Sequence, residues 1–129
     1  GVPKDGNNWN LDWLGANDVG YLTGTTFPTL PGNSAITGHV YLADGSPGPF
    51  VDLGKLSWDD KIIIHAWGQK YIYSVRYEND RVDPNDSSVL DNKDYNWITL
   101  ITCKDYNESS GLYRWRTVVQ AVLVELVDE

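Results

Sequence analysis

The sequence is short of cysteine: Cys103 is the only one in 129 residues. A single thiol cannot form an intramolecular disulfide, and it cannot supply a cysteine-rich metal site. Two interpretations remain, a buried inert side chain or a nucleophile. Cys103 ends an apolar run that begins at Trp97, and a polar, turn-rich segment follows at residues 104–111. We therefore expect the thiol near the end of a strand, where catalytic groups are often placed.

Basic residues are also scarce, with 10 Lys and Arg against 18 Asp and Glu and a formal net charge of −8. Nucleic-acid backbones and anionic membranes bind clustered cations, so we predict no nucleic-acid partner and no adsorption to a membrane surface. No run approaches the roughly 18 apolar residues that span a bilayer. The first residues show no signal peptide pattern, and we expect that the chain was cut upstream of its present start.

Long stretches of helical periodicity are missing as well. The 12 glycines and 6 prolines separate short apolar runs, which is typical of a β-rich domain. We predict one all-β domain over residues 1–129, a closed or half-closed β-barrel, with an irregular segment at residues 1–17 and no strand before residue 34. The predicted strands are residues 34–42, 61–66, 71–77, 98–103 and 118–127, and short helical turns are predicted at residues 11–14 and 50–56.

Two histidines are present to activate a thiol, which at neutral pH is only a few per cent thiolate without a nearby base or cation. His39 follows a glycine late in a predicted strand, and His65 lies inside the next strand. From the pattern alone, a structural histidine is the more frequent interpretation of either residue. Burial as a small apolar side chain is likewise the more frequent interpretation of Cys103.

Two arginines stand at the start of the last predicted strand. Arg114 and Arg116 are two residues apart, so their side chains would point to the same face. A guanidinium near a thiol lowers the thiol pKa or stabilises a tetrahedral oxyanion. A solvated pair at a strand edge is the alternative. Paired carboxylates such as Asp59–Asp60 lack the spacing of a glycosidase or metal centre, so we predict no metal site.

The order of these motifs resembles that of the bacterial sortases. Residues 99–103, Thr-Leu-Ile-Thr-Cys, match the family signature T-L-x-T-C, and residues 104–108 resemble its class A form. Residues 34–39, Ser-Ala-Ile-Thr-Gly-His, resemble the strand end x-x-A-G-H that carries the family's histidine. Residues 82–90 resemble the groove segment V-x-P-x-D-x-x-V-L. Arg116 stands where the family's arginine is expected, and the resemblance extends from about residue 18 to residue 127.

This resemblance implies a cysteine transpeptidase with a mixed β-barrel fold and short helical turns. Cys103 would attack the carbonyl after the Thr of an LPxTG-like sorting signal, and an amine of a peptidoglycan precursor or a pilin lysine would resolve the thioacyl intermediate. His39 would act as general acid and then as general base. Arg116 would bind the substrate backbone and the oxyanion. The implied location is the extracytoplasmic face of the bacterial membrane, with an anchor that this chain does not contain.

The resemblance also implies a set of substrate-binding residues. Val89, Leu90 and Ile101 correspond to apolar groove positions for the Leu-Pro part of the signal. Thr102, beside the nucleophile, is expected to contact the bound peptide. Thr37 replaces the small residue that the family has two positions before the histidine, and we expect it to alter the preferred signal. Arg114 and His65 keep their structural interpretations.

Two departures from the family pattern change what is expected. Some class A members bind calcium through acidic residues before the histidine, but residues 20–36 contain none. We therefore expect no calcium requirement and no cofactor, despite Asp91. The family's opening strand and membrane anchor are not recognised either. The chain is expected to be cut inside the domain, or the barrel to begin one strand late and expose a sheet edge.

Two other functions stay open at this point. One is a cysteine peptidase that releases its acyl group to water, and the other is a non-catalytic module that binds cell-wall peptides. The combination of Cys103, His39 and Arg116 argues against the module. The sortase class, housekeeping or pilin-forming, is not fixed by the motifs.

Overall fold

The computed structural model describes residues 4–5, 8–9, 18–42, 44–83, 86–102 and 115–129. The helical turn predicted at residues 11–14, the residues 104–108, Arg114 and Cys103 itself all lie outside these ranges. Two short strands, β1 (Lys4–Asp5) and β2 (Asn8–Trp9), pair antiparallel with each other. All other described strands belong to one sheet.

That sheet has six strands in the order β3-β4-β7-β8-β6-β5, and it curls into half a barrel. Its strands are β3 (Val19–Tyr21), β4 (Gly32–Gly38), β5 (Lys61–Ala66), β6 (Gln69–Val82), β7 (Asn96–Thr102) and β8 (Arg116–Asp128). The β4–β7 pair is parallel and every other neighbouring pair is antiparallel. The prediction of an all-β, mixed barrel-like fold is confirmed.

The hairpin between β5 and β6 turns one residue earlier than the Gly68–Gln69 turn that the sequence predicts. Trp67 and Gly68 link the two strands, and both have positive φ angles, 56° and 69°. A two-residue turn with positive φ at both positions matches the right-handed twist of the flanking strands. β6 runs on to Val82, well past the predicted end at residue 77, because it pairs with β8 where its own sequence has turned polar.

The beginning of the sheet differs from the prediction in two places. β3 was predicted to be irregular, since a strand of three residues is too short to show an apolar alternation. β4 is two residues longer at its start than predicted and ends at Gly38 instead of residue 42. His39 therefore lies one residue beyond the strand. A Cβ atom on Gly38 would be 3.0 Å from Val19 and 3.2 Å from the Phe50 ring, so glycine permits close packing at this strand end.

Helical structure in the described ranges consists of two 3₁₀ helices, Leu53–Lys55 and Ser87–Leu90. The first confirms the turn predicted at residues 50–56. The second, which we call helix 87–90, lies in the segment between β6 and β7. Asp86 caps it, because its carboxylate accepts a hydrogen bond of 2.9 Å from the Ser88 amide. Within the residues described, no helix has both the length and the apolar character needed to cross a bilayer.

Both faces of the sheet centre are buried. One face carries the main cluster, which consists of Ile36, Leu53, Tyr73, Val75, Ile98, Leu100, Val119 and Ala121. The opposite face carries the groove cluster, which consists of Leu22, Ala35, Val82, Ile101 and Val118, with Val89 and Leu90 packed against it. Val118 and Val119 are consecutive and completely buried on opposite faces. This two-sided burial explains the continuous apolar runs of β7 and β8.

Candidate active site

Three neighbouring strands end or begin at one edge of the sheet. β7 lies between β4 and β8. Gly38 of β4 pairs with Thr102 of β7, and Ile101 pairs with Val118 of β8. The Thr117 amide donates a hydrogen bond of 3.1 Å to the Thr102 hydroxyl, which fixes the β7–β8 register up to the last described residue of β7.

His39 is held at this edge through its backbone. Its carbonyl oxygen accepts a hydrogen bond of 2.9 Å from the Phe50 amide, and the Gly48 amide donates one of 2.7 Å to the Val40 carbonyl. A Cβ atom on Gly48 would lie 2.3 Å from the His39 carbonyl oxygen, so the chain can approach His39 this closely only with glycine there. The His39 residue is half-buried. The returning chain thus fixes the backbone that carries the imidazole.

Arg116 opens β8 on the groove side of the sheet. It pairs with Val82 of β6, and its Nε atom is buried. Successive residues of a strand point to opposite faces, so Arg116 shares a face with Val118. Val118 in turn lies in one row with Ile101 and Thr37, whose side chains therefore share that face.

The predicted apolar groove residues are brought together. Val89 and Leu90 of helix 87–90 pack against the groove cluster, which includes Ile101. Val89 and Leu90 are half-buried, whereas Ile101 is only 3% exposed. Ile101 therefore lies beneath the surface that the other two residues present. Their contact with the Leu-Pro part of a sorting signal stays a prediction.

The two threonines assigned to substrate binding both use their hydroxyls inside the protein. Thr37 is 4% exposed, and its Oγ1 donates a hydrogen bond of 3.0 Å to the Ile101 carbonyl. Thr102 points to the face opposite Ile101 and accepts from the Thr117 amide. Thr37 thus links β4 to β7 directly below the edge, and the contact of either threonine with a bound peptide stays a prediction.

A polar network that the sequence analysis missed lies deeper on the groove face. Asn33, Thr99 and Gln120 are linked by hydrogen bonds, and the network reaches the Val89 and Asp91 carbonyls. Asn33 is 2% exposed and Thr99 is fully buried. The available signal was Thr99 and Gln120, one polar residue in each of the apolar strands β7 and β8. Both share a face with the predicted groove residue Ile101. Buried polar groups are nearly always hydrogen-bonded, and therefore such positions indicate a specific partner.

An open cleft of about 450 Å³ continues the groove towards β6. It was not foreseen, because its walls come from four separate stretches of the chain. Its lining residues are Tyr77, Asn79, Arg81, Val82, Asp83, Asp86, Ser88, Val89, Lys93, Trp115 and Gln120. Aromatic and hydrogen-bonding groups of this kind suit an extended peptide.

The other histidine is remote from this edge. His65 lies on β5, which is separated from β4 by β7, β8 and β6 in the sheet. Its side chain is 61% exposed, and its Nδ1 lies 2.5 Å from a Glu129 carboxylate oxygen. His65 is a surface residue. Among the residues that the structure describes, no group of three His, Cys, Asp or Glu side chains is arranged to hold a metal ion.

A mixed half-barrel with a histidine and an arginine at one edge, beside an apolar groove, is the framework of a sortase. The sortase domain family model matches residues 2–124, and the chain therefore belongs to the sortase family. It is a transpeptidase of cell-wall sorting, the activity that defines this family. Sortases act on the extracytoplasmic side of the membrane.

Solved sortase structures of several classes are similar to this chain. A sortase D5 transpeptidase from Clostridium perfringens shares 26% identity over 90% of this chain and 67% of its own, with a TM-score of 0.70. Sortase A from Corynebacterium diphtheriae shares 32% identity over 83% of this chain and 48% of its own, with a TM-score of 0.67.

The SrtA sortase of Actinomyces oris shares 25% identity over 92% of this chain and 68% of its own, with a TM-score of 0.72. The chain thus spans about half to two thirds of the length of these three structures. Comparison with curated protein sequences gave no match. Because the similar structures come from different classes, they leave the class of this sortase open.

Proposed function

We propose that this sortase cleaves an LPxTG-like sorting signal after its Thr, with Cys103 as nucleophile, His39 as general acid and base, and Arg116 as the oxyanion ligand. The acyl group is then joined to an amine of a peptidoglycan precursor or a pilin. We also infer one catalytic domain over residues 1–129, since β3 and β8, the first and last strands of the large sheet, belong to the same layer.

The strand register is the observation that carries this proposal. Gly38 pairs with Thr102, and these two residues directly precede His39 and Cys103 in the sequence. Ile101 pairs with Val118, which is two residues after Arg116. Because neighbouring strands lie about 4.8 Å apart, the ends of β4 and β8 that carry His39 and Arg116 flank the end of β7 that leads to Cys103. Arg116 shares the groove face with Val118, and we propose that His39 and Cys103 act on a peptide bound at the same face.

This arrangement suits thioacyl transfer. The Cys103 thiolate adds to the Thr carbonyl carbon of the signal, and the resulting oxyanion accepts hydrogen bonds from Arg116. The C–N bond to the following Gly breaks as protonated His39 gives its proton to the leaving amine. The acceptor amine next attacks the thioester, loses a proton to His39 and displaces the thiolate. The enzyme returns to its starting state with no net redox change.

The groove supports the choice of signal. The half-buried Val89 and Leu90 offer apolar surface on the face that carries Arg116, which fits the Leu-Pro part of the peptide. The open cleft beyond them offers hydrogen-bonding groups for the extended backbone. The extracytoplasmic location of the family supports this choice, because secreted signals and cell-wall amines meet there.

A peptide-library cleavage assay tests the proposal. The wild-type protein should release the part of an LPxTG-like peptide that follows the Thr, and Cys103→Ala should release none. Adding an amine such as triglycine should shift the product from the free acid to the amide. Circular dichroism on both proteins checks that the variant keeps the fold.

Each other outcome of that assay points elsewhere. Unchanged cleavage by Cys103→Ala would remove the thioacyl mechanism altogether. Cleavage that never yields amide, at any amine concentration, would indicate a cysteine peptidase. Binding of the peptide without cleavage or acylation of Cys103 would indicate a non-catalytic module.

A further inference from the structure

We propose that Asn33 is a positioning residue: it holds helix 87–90 against the sheet and so sets the affinity for the apolar part of the sorting signal. This inference rests on the proposed function, because it concerns the groove that the signal would occupy. Asn33 itself is buried six residues before His39 and would not touch the peptide.

The side-chain amide of Asn33 donates two hydrogen bonds to the segment between β6 and β7. Nδ2 donates to the Val89 carbonyl at 2.9 Å and to the Asp91 carbonyl at 3.0 Å. These two acceptors lie on either side of Leu90, the last residue of helix 87–90. A single buried side chain of β4 thus holds the end of the helix at two points.

The rest of the network fixes Asn33 in turn. Its Oδ1 accepts a hydrogen bond of 2.6 Å from the fully buried Thr99 hydroxyl. Gln120 Nε2 donates to Thr99 Oγ1 at 3.2 Å and to the Val89 carbonyl at 3.4 Å. The backbone amide of Asn33 donates to Asn92 Oδ1 at 3.2 Å. A buried network in which each member has partners is rigid, since a group that loses its partner stays desolvated.

Helix 87–90 needs such support. It is a single 3₁₀ turn of four residues, too short to be stable by itself, and none of its residues is fully buried. Its apolar contact with the sheet comes from Val89 and Leu90, which are also the residues offered to the peptide. The Asn33 network therefore fixes the position of a binding surface that its own packing leaves adjustable. Such preorganisation lowers the cost of binding.

Asn33→Asp is the sharpest test, because it preserves shape but replaces both N–H donors with an acceptor that faces two carbonyls. We expect KM for the sorting-signal peptide to rise about tenfold, with kcat within about twofold of wild type, since the loss falls on peptide binding and not on the thiol. Backbone amide exchange of residues 88–91 should also become faster.

Asn96→Asp is the matched control. Asn96 makes the same kind of amide-to-carbonyl hydrogen bond, 2.7 Å to Thr29, from the other end of β7 and away from the groove. It should leave KM and the exchange of residues 88–91 at wild-type values. If Asn33→Asp does not fold, Thr99→Val removes the buried hydroxyl that fixes Asn33 and should move both readouts in the same direction.

The outcomes separate this inference from the proposed function. Faster exchange with an unchanged KM would show that the helix position does not govern peptide binding, and unchanged exchange would show that Asn33 does not hold the helix. Either result overturns the inference. A wild-type protein that cleaves no LPxTG-like peptide would remove the proposed function and with it the role in affinity, whereas the exchange comparison would still decide whether Asn33 holds helix 87–90.

Discussion

At the scale of single residues, His39 depends on its neighbours' backbones. It lies just past β4, outside the ladder, and the segment that includes Gly48 and Phe50 returns to bind its carbonyl and that of Val40. The imidazole is thus carried by a loop residue whose main chain has no room to shift. Precise placement matters for the general acid proposed here, because proton transfer needs hydrogen-bond reach.

Gly48→Ala should therefore reduce activity. The added methyl would lie 2.3 Å from the His39 carbonyl oxygen, a contact that only a backbone shift can relieve. We expect kcat to fall at least about tenfold, since a displacement of about 1 Å at a catalytic group has such effects. Gly54→Ala is the control, because its methyl would meet nothing closer than Thr117 at 3.8 Å. Equal activity of the two variants would contradict this account of Gly48.

The two histidines offer a direct comparison. His39→Gln should lower kcat/KM for transpeptidation by roughly 10²–10⁴-fold, the usual contribution of general acid–base catalysis. His65→Gln should retain wild-type activity, because His65 is exposed on β5 and contacts Glu129 at the far side of the sheet. Steady-state kinetics on the same peptide and amine measure both. A comparable loss in His65→Gln would mean that the site assignment is wrong.

At the scale of elements, an ionic cluster joins the turn before β5 to the middle of β6. Asp59 accepts from Lys61 Nζ at 2.8 Å and from the Ser74 hydroxyl at 2.6 Å, and Arg76 lies 3.6 Å away. Arg76 also stacks over Trp58 at 4.8 Å from the ring. The Lys61 and Ser74 contacts lower the pKa of Asp59 to about 2, from an ordinary value near 4.

That lowered pKa predicts a defined acid sensitivity. A carboxyl whose pKa is depressed by folding stabilises the folded state fully above its ordinary pKa, and the contribution disappears as the pH falls towards about 2. Asp59→Asn should therefore lose stability at pH 7 and show a shallower decline between about pH 4 and pH 2. Urea unfolding at several pH values measures this.

Ser74→Ala serves as the companion variant, because it removes the hydrogen bonds that the Ser74 hydroxyl makes with Asp59 and Arg76 and leaves the Asp59 charge in place. Its decline with falling pH should lie between those of the wild type and Asp59→Asn. Parallel curves for all three proteins would show that Asp59 does not contribute to the acid sensitivity.

At the scale of the whole molecule, one sheet separates two buried clusters, of which only one adjoins the groove. The main cluster stabilises the fold, and the groove cluster also supports Val89 and Leu90. Val118 and Val119 are adjacent residues of β8 and both are fully buried, but Val118 belongs to the groove cluster and Val119 to the main cluster. They allow stability and function to be separated with the same chemical change.

Val118→Ala and Val119→Ala should each lower the free energy of unfolding by about 2 kcal/mol, the cost of removing two buried methyl groups. Only Val118→Ala should also raise KM for the sorting signal, since its cavity opens beneath the groove. Chemical denaturation and steady-state kinetics give the two readouts. A KM change of the same size in Val119→Ala would show that the faces are not functionally distinct.

Much of the fold was predictable because local signals agreed with the final pairing. Strand β5 and the apolar parts of β7 and β8 follow from their apolar patterns, whereas the hairpin turn expected at Gly68–Gln69 lies one residue earlier, at Trp67–Gly68. The polar end of β6 was not predictable in this way, since its residues become strand only by pairing with β8. β3 was missed because three residues carry too little pattern.

The site residues were proposed from motifs and not from physical pattern. The spacing of His39 and Arg116 in the sequence does not indicate that β4 and β8 lie on either side of β7. Only the resemblance to sortases indicated that the two residues lie near each other. The Asn33 network was missed because its hydrogen bonds join residues more than 50 positions apart. The role of Cys103 stays a prediction, since the residue lies outside the described ranges.

The strand order makes β8 the strand that completes the folded sheet. β8, the last described strand along the chain, lies between β7 and β6. The three strands β3, β4 and β7 are therefore joined to β5 and β6 only when β8 pairs with both groups. Strand pairings this distant in sequence form slowly, because a long loop must close before any contact compensates for its entropy. During synthesis, β4 and the following His39 therefore exist long before β8 and its Arg116 are in place. The two halves of the sheet, and with them His39 and Arg116, therefore come together only when β8 pairs.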